Sequence, residues 1–436
     1  MGYIMKKLSM IFLFILMINI SCQKSEVASK PPMGWNSYTG YSIEITQSEL
    51  IKNIDAISEK LQPYGYKYVT VDNGWFLDKP ADEGGQVIID AYGRPESSPY
   101  FFPDGLQYVI DYAHKKGLKF GIWLIRGVDR KAVAKNLPIK GTQYRLQDIV
   151  DKQDTCYWND YNYGVDMSKP GAQQFYNNMI QKYAEWGVDF IKYDDIVPHP
   201  DEIKAVAKAI DNCDRDIVLS LSPGDYIDKE DVDVYKKANM VRITHDIWDN
   251  KRSLESTFQR WEMMQDYNGA RHNSWIDLDM ICFGRLYVVR EGGFQCKFSQ
   301  DQQRTFMLQR ALASSPLIAG GVMYSMDDFS LSLLTHPDII ECNQNGKIGQ
   351  LVSRKNKINV WKTEDRDQKN TGWIGVFNRN GQKKQTIELN NDELGLAQNS
   401  DYKFIDLWNN KTLKANKQLK LTINPDGCYF IKYKAK

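Results

Sequence analysis

The chain has 436 residues, 42% hydrophobic and 25% charged, an ordinary globular balance, long enough for two or three domains and too apolar for a disordered chain. Its 56 Lys and Arg against 55 Asp and Glu leave a net charge of +1, which gives neither the basic stripe of a nucleic-acid binder nor a polybasic membrane anchor. Seven Cys are too sparse for a disulfide scaffold, and His114, His199, His245, His272 and His336 lack the paired spacing of a zinc site.

Lys6 and Lys7 precede an uncharged apolar run, Met10 to Ile20. That run is shorter than the ~20 residues a spanning helix needs, so residues 1–21 read as a secretory signal. Ser21-Cys22 ends it, and polar Gln23, Lys24, Ser25 and Glu26 follow, a pattern similar to a bacterial lipobox. The expectation is a lipidated Cys22 heading a polar tether over 22–30, with the protein in the periplasm or on the outer membrane. The membrane is then met only through the lipid. The alternative is a plain secreted protein cut nearby. Six Cys remain, and an oxidising compartment permits bridges whose pairing the sequence does not define.

Beyond the tether, helical periodicity alternates with short apolar runs. Leu50, Ile51, Ile54, Ile57 and Leu61 mark a helix, and Lys67–Val71 a strand ending at Asp72. Leu106, Val109, Ile110 and Ala113 mark the next helix, with Gly117 as its stop and Lys119–Trp123 as the next strand. The rhythm continues with helix Ala172–Glu185, strand Asp189–Tyr193, helix Glu202–Ile210, and strands Ile217–Leu221, Met240–Ile243, Ser274–Ile276 and Leu317–Ala319. This pattern predicts a parallel sheet, and the length favours a (β/α)₈ TIM barrel over an open sheet. Residues 126–168 read as an extended loop over the barrel mouth, and such loops are usually functional. Near residue 346 the pattern changes to alternating runs: Ile358–Trp361, Trp373–Phe377, Thr386–Leu389, Phe404–Leu407, Leu419–Ile423 and Tyr429–Tyr433. The predicted architecture is a catalytic barrel over 31–345 and an antiparallel β-sandwich over 346–436.

Barrel active sites sit at the C-terminal ends of the strands. The polar residues there are Asp72 and Asn73, then Lys192, Asp194 and Asp195, Ser220 and Ser222, Arg242 and Asp246, and Asp277 and Asp279. A rim of carboxylates with Tyr38, Trp123 and Trp248 nearby fits glycoside hydrolysis, which needs two carboxyl groups flanking the anomeric carbon. A single Asp at a strand end is as readily the N-cap of the next helix. Lys192 and Asp194, two apart on one strand, share a face and fit a structural ion pair equally well. The convergence of five strand ends on one rim raises the functional reading above either.

Several segments together resemble glycoside hydrolase family 27, the α-galactosidase family. They are Pro32-Met33-Gly34-Trp35-Asn36-Ser37-Tyr38, Val71-Asp72-Asn73-Gly74-Trp75, Phe190-Ile191-Lys192-Tyr193-Asp194, Arg242-Ile243-Thr244-His245-Asp246-Ile247, Trp275-Ile276-Asp277-Leu278-Asp279-Met280 and Ser315-Pro316-Leu317. The likeness covers roughly 31 to 436. It implies a retaining double displacement with Asp194 as nucleophile, its pKa depressed by Lys192, and Asp246 as general acid and then base, in a less solvated or more negative setting that keeps it protonated. It further implies that Arg242 and Lys192 hydrogen-bond sugar hydroxyls and that Asp72 accepts from those at C4 and C6. Tyr38 and Trp123 would wall the ring, and Asp279 would shape the pocket. His245 is structural, or else tunes Asp246.

The departures bear on the sugar. Asn73 replaces the second Asp of the family's pair, and Leu221-Ser222-Pro223 replaces a Cys-Glu-Trp-like segment that contacts the C2 hydroxyl. Ile196 replaces a Cys, so that family disulfide is missing. The main expectation is release of terminal α-D-galactose from oligo- or polysaccharides. N-acetylgalactosaminide, β-L-arabinopyranoside and isomaltose-releasing activities are the same-family alternatives, and a non-catalytic carbohydrate-binding lipoprotein is the alternative of another class. No cofactor or metal is expected, because no phosphate loop stands in the right context.

Overall fold

The computed structural model describes residues 27–436 except 224–226, 228, 229, 290, 291 and 417. The signal and Cys22 fall outside the described residues. Eight parallel strands form one sheet: β1 (Met33–Asn36), β2 (Tyr68–Val71), β3 (Lys119–Ile125), β4 (Phe190–Asp194), β5 (Val218–Ser222), β6 (Met240–Arg242), β7 (Trp275–Asp277) and β8 (Leu317–Ala319). Neighbours in the chain are neighbours in the sheet, and β8 pairs back onto β1. Just past β7, Ile281 closes the ring: its N–H donates to the Ile318 carbonyl at 2.8 Å, and its carbonyl accepts from Gly320 N at 2.9 Å. The sheet is therefore the barrel that the alternating pattern predicts. Strands β1, β2, β5, β6, β7 and β8 are buried at every residue, which is why they read as continuous apolar runs rather than alternating ones.

Helix Gln47–Lys60 shows how the outer layer forms. Thr46 caps it by accepting from Glu49 N, and Leu50, Ile54 and Ile57 turn inward. Helix Gln300–Leu312 has no such stripe. It buries Gln303, Thr305, Gln309 and Arg310 along with Phe306 and Leu308, because it lies between barrel and sandwich. Arg310 donates to the Leu278 carbonyl at 2.5 Å on one side, and Thr305 to the Asp426 carbonyl at 2.7 Å on the other.

The C-terminal unit stacks a six-stranded antiparallel sheet on a three-stranded one around Val360, Ile374, Leu389, Phe404, Leu421 and Ile431. Its first strand, Gln350–Lys355, is half-exposed and polar, so apolar alternation does not mark it. Trp361 stacks on Trp261 of helix Lys251–Met264 at 3.6 Å, and Phe377 meets Phe258 of the same helix. The sandwich thus braces the helix that follows β6.

The segment after β3 is more than the extended loop its sequence suggests. It holds a three-stranded sheet (Val128–Asp129, Asn162–Val165, Val150–Thr155) and short helices Arg130–Ala134 and Leu146–Ile149. Strand Val150–Thr155 is polar, mostly exposed and bulged, which hides it from a periodicity reading. Cys156, Cys213, Cys282, Cys296, Cys342 and Cys428 are all free thiols. Among the described residues, no helix is long and apolar enough to cross a membrane.

Candidate active site

Strand β4 delivers Lys192 and Asp194 to one face. Asp194 is buried. Its Oδ2 accepts from Trp123 Nε1 at 2.9 Å and its Oδ1 from Asp195 N at 2.9 Å. Lys192 Nζ donates to Asp72 Oδ2 at 2.9 Å, an oxygen that also accepts from Asn36 Nδ2 at 2.8 Å. Asp72 Oδ1 takes Asn73 N at 2.9 Å. The Lys192 ammonium lies 5.5 Å from the centre of the Tyr38 ring, a favourable cation–π contact. Burial pushes the Asp194 carboxyl up; Lys192, Arg242 and the two N–H donors pull it down, and burial wins. Lys192 acts in the expected direction, but the expected net depression of Asp194 is overturned. Burial opposes the charge on Lys192, while Asp72 and Asp194 more than restore it and hold the ammonium protonated.

The other carboxylate follows β6. Arg242 Nη1 donates to Asp246 Oδ1 at 2.6 Å, Nε to Ser222 Oγ at 3.0 Å, and Nη2 to the Pro223 carbonyl at 2.6 Å. Asp279 Oδ2 lies 3.7 Å from Arg242 Nη1 and accepts from Ile247 N at 2.7 Å, which anchors the turn carrying Asp246. The Asp246 side chain is 60% exposed. Crowding by the mouth works to raise its carboxyl, but Arg242, Lys192 and His245 outweigh it and hold Asp246 below the usual carboxylate range. This reverses the expectation of a setting that keeps it protonated: the nearest charge is a cation.

Tyr38, Trp248 and Tyr287 form a line of rings leading outward, with centroids 6.3 Å apart at each step. Burial, then Asp246 and Asp72, push the Tyr38 phenol up to about 12. Trp123 is only 1% exposed. Against the expectation of a wall, its ring has almost no face open to the mouth, and its N–H is donated to Asp194. Asn73 meets the Tyr161 hydroxyl from the segment after β3, and its buried Oδ1 has no hydrogen-bond partner.

Sequence reasoning missed Asn36, Arg126 and the function of Asp195. Arg126 directly follows the long apolar β3, and that placement of a charge is the signal that could have found it. Its N–H donates to the Asp194 carbonyl at 3.2 Å. Its guanidinium grips Asp154 at 2.6 and 2.7 Å, and it ion-pairs with Asp195 at 3.0 Å and Glu202 at 3.1 Å. Asp195 adopts φ +52°, a left-handed conformation that Asp tolerates better than most residues, and it takes the Cys156 thiol as a further donor. Asp154, His199 and Glu202 offer ligand atoms within 4.8 Å of one another. Arg126 already supplies positive charge to Asp154 and Glu202 there.

A barrel mouth with two carboxylates, an arginine and a lysine within mutual electrostatic reach defines a glycoside hydrolase. The family profile described as alpha galactosidase A matches residues 30–149 and 134–345, and that of the alpha galactosidase C-terminal beta sandwich domain matches 356–433. The chain belongs to glycoside hydrolase family 27, the α-galactosidase family. It is similar to the β-L-arabinopyranosidase of Geobacillus stearothermophilus, with 34% identity, a TM-score of 0.86, and 93% of this chain and 97% of that one covered. It is also similar to alpha-galactosidase 2 of Arabidopsis thaliana, 27% identical over 412 residues, which cover 92% of this chain and 89% of that one.

Proposed function

We propose that the chain is a retaining exo-glycosidase that releases terminal α-D-galactose. The observation that carries this reading is the pairing of a buried Asp194, fixed by two N–H donors, with a solvent-reached Asp246 across Arg242 and Lys192. Asp194 attacks the anomeric carbon while Asp246 passes a proton to the departing glycosidic oxygen. Water then cleaves the glycosyl–Asp194 ester, with Asp246 taking its proton, and the configuration is retained. Asp72, Lys192 and Arg242 bind ring hydroxyls, Tyr38 covers the ring, and Asp279 and Ser222 hold Arg242 in place. An outer-envelope location through Cys22 belongs to the same proposal.

β-L-Arabinopyranoside, an α-galactoside without its hydroxymethyl group, is the second reading, supported by the 34% likeness to a β-L-arabinopyranosidase. We take the unpaired Asn73 Oδ1, next to Asp72, as an acceptor for the hydroxymethyl group that galactose has and arabinopyranose lacks. An aryl-glycoside panel separates the two. A higher kcat/KM on the α-galactoside supports the first reading, a higher value on the β-L-arabinopyranoside the second, and turnover of neither ring overturns both.

A further inference from the structure

A groove of about 730 Å³ opens at Asp246 and Trp248 and runs along helix Lys251–Met264. Arg252, Ser256, Gln259 and Met263 line it. Their spacing of four, three and four residues puts them on one helix face, which extends roughly 16 Å at 1.5 Å per residue. Arg252 and Gln259 are exposed, and neither has a side-chain partner among the described residues. The helix is braced from behind by the Trp261–Trp361 stack, so the groove face is held fixed.

The chemistry decides what occupies this groove. The bond that breaks lies between the sugar ring over Asp194 and the oxygen that Asp246 protonates, so the leaving group must sit on the Asp246 side. The groove begins there and offers hydroxyl-binding donors and acceptors along its length, with the Trp248 ring at its inner end. We infer that this groove is a leaving-group site for an oligosaccharide of two or more rings. Guanidinium and amide groups bind sugar hydroxyls, and the Trp248 ring at the groove's inner end offers a surface for the first ring to stack on. The inference rests on Asp246 being the acid/base, and the test keeps the two apart.

Two substrates share the same terminal sugar, one with an aryl leaving group and one with a trisaccharide leaving group. In the Arg252→Ala/Gln259→Ala double variant, the ratio of trisaccharide to aryl kcat/KM falls about tenfold, chiefly through KM, as expected for two lost hydrogen bonds. Ser256→Trp, which fills the groove, lowers the same ratio. An unchanged ratio in both variants, each with the wild-type melting temperature, overturns the groove. Absence of aryl-glycoside turnover in the wild type instead overturns the parent reading.

Discussion

On the β4 side of the mouth, charge is buried and locked. Asp194, Asp72, Lys192, Asp195 and Arg126 share a lattice in which every carboxylate has a fixed donor or a fixed cation beside it. On the β6 side, charge is open. Asp246 is 60% exposed and hydrogen-bonds Arg242, with the charges of Lys192 and His245 further off. The difference matches the two tasks. A nucleophile must meet one carbon with little freedom, so it is fixed on every side. A proton carrier must change state twice per turnover, so it is left where water and substrate can alter its surroundings. Because Arg242 keeps Asp246 ionised in the free protein, the proton has to arrive with the sugar. Ring hydroxyls that take the Arg242 donors and exclude water remove what holds the carboxyl down.

The sharpest break in this comparison is Asp194→Asn. Turnover falls about 10⁴-fold or more, while the chain stays folded at the cost of one of the two N–H bonds, because the amide nitrogen cannot accept from Trp123 or from Asp195 N. A fluorinated glycosyl reagent labels Asp194 in the wild type; an adduct on Asp195 or Asp246 refutes the assignment. Asp246→Asn comes next. It slows substrates with poor leaving groups by about 10³-fold and activated aryl glycosides far less, and equal loss on both contradicts the acid/base assignment. The pH profiles carry the same point. Asp246 acts protonated and is held low in the free enzyme, so the basic limb of kcat/KM lies at lower pH than that of kcat. Coincident limbs mean that the Arg242 pair survives substrate binding.

The barrel was legible because its strands are apolar runs between amphipathic helices, and its motifs at Asp72, Asp194 and Asp246 stand at strand ends. Electrostatic state was not legible. Whether Asp194 sits above its ordinary pKa depends on how burial compares with Lys192 and Arg242, and burial is a property of the packed barrel. Trp123 shows the same limit. Period two assigns it a face of β3 but cannot say that a carboxylate will claim its indole. Arg126 stayed hidden because its partners Asp154, Asp195 and Glu202 are far apart in the chain.

That lattice is the next place to press. Arg126→Met strips the cation from Asp154, Asp195 and Glu202 and leaves buried charge unpaired, which destabilises by roughly 3–5 kcal/mol. At temperatures where the variant stays folded, kcat falls on the order of 10²-fold with KM little changed, because Arg126 positions Asp194 rather than touching sugar. A rise in KM alone would place Arg126 outside the nucleophile's support.

The smallest expected effect is on stability against pH, and its sign follows from burial. Burial pushes Glu202 up to about 7, with Arg126 and Tyr176 pulling the other way, and it pushes Asp277 up to about 7 with help from Asp279. Both lie above their ordinary values of 4.5 and 3.8, so the folded chain binds these protons more tightly than the unfolded one. Their contribution is complete below the unfolded values and is lost as pH climbs toward about 7. These two groups therefore pull the melting temperature of the wild type down across that window, while His199, which burial holds down at about 4, pulls the other way. Glu202→Gln removes one of the two titrations and flattens the decline by on the order of 2 kcal/mol, and Glu202→Gln/Asp277→Asn flattens it further. A single variant as steep as the wild type would mean that Arg126 keeps Glu202 ionised throughout, making the β4 lattice a set of fixed charges with no proton to lose.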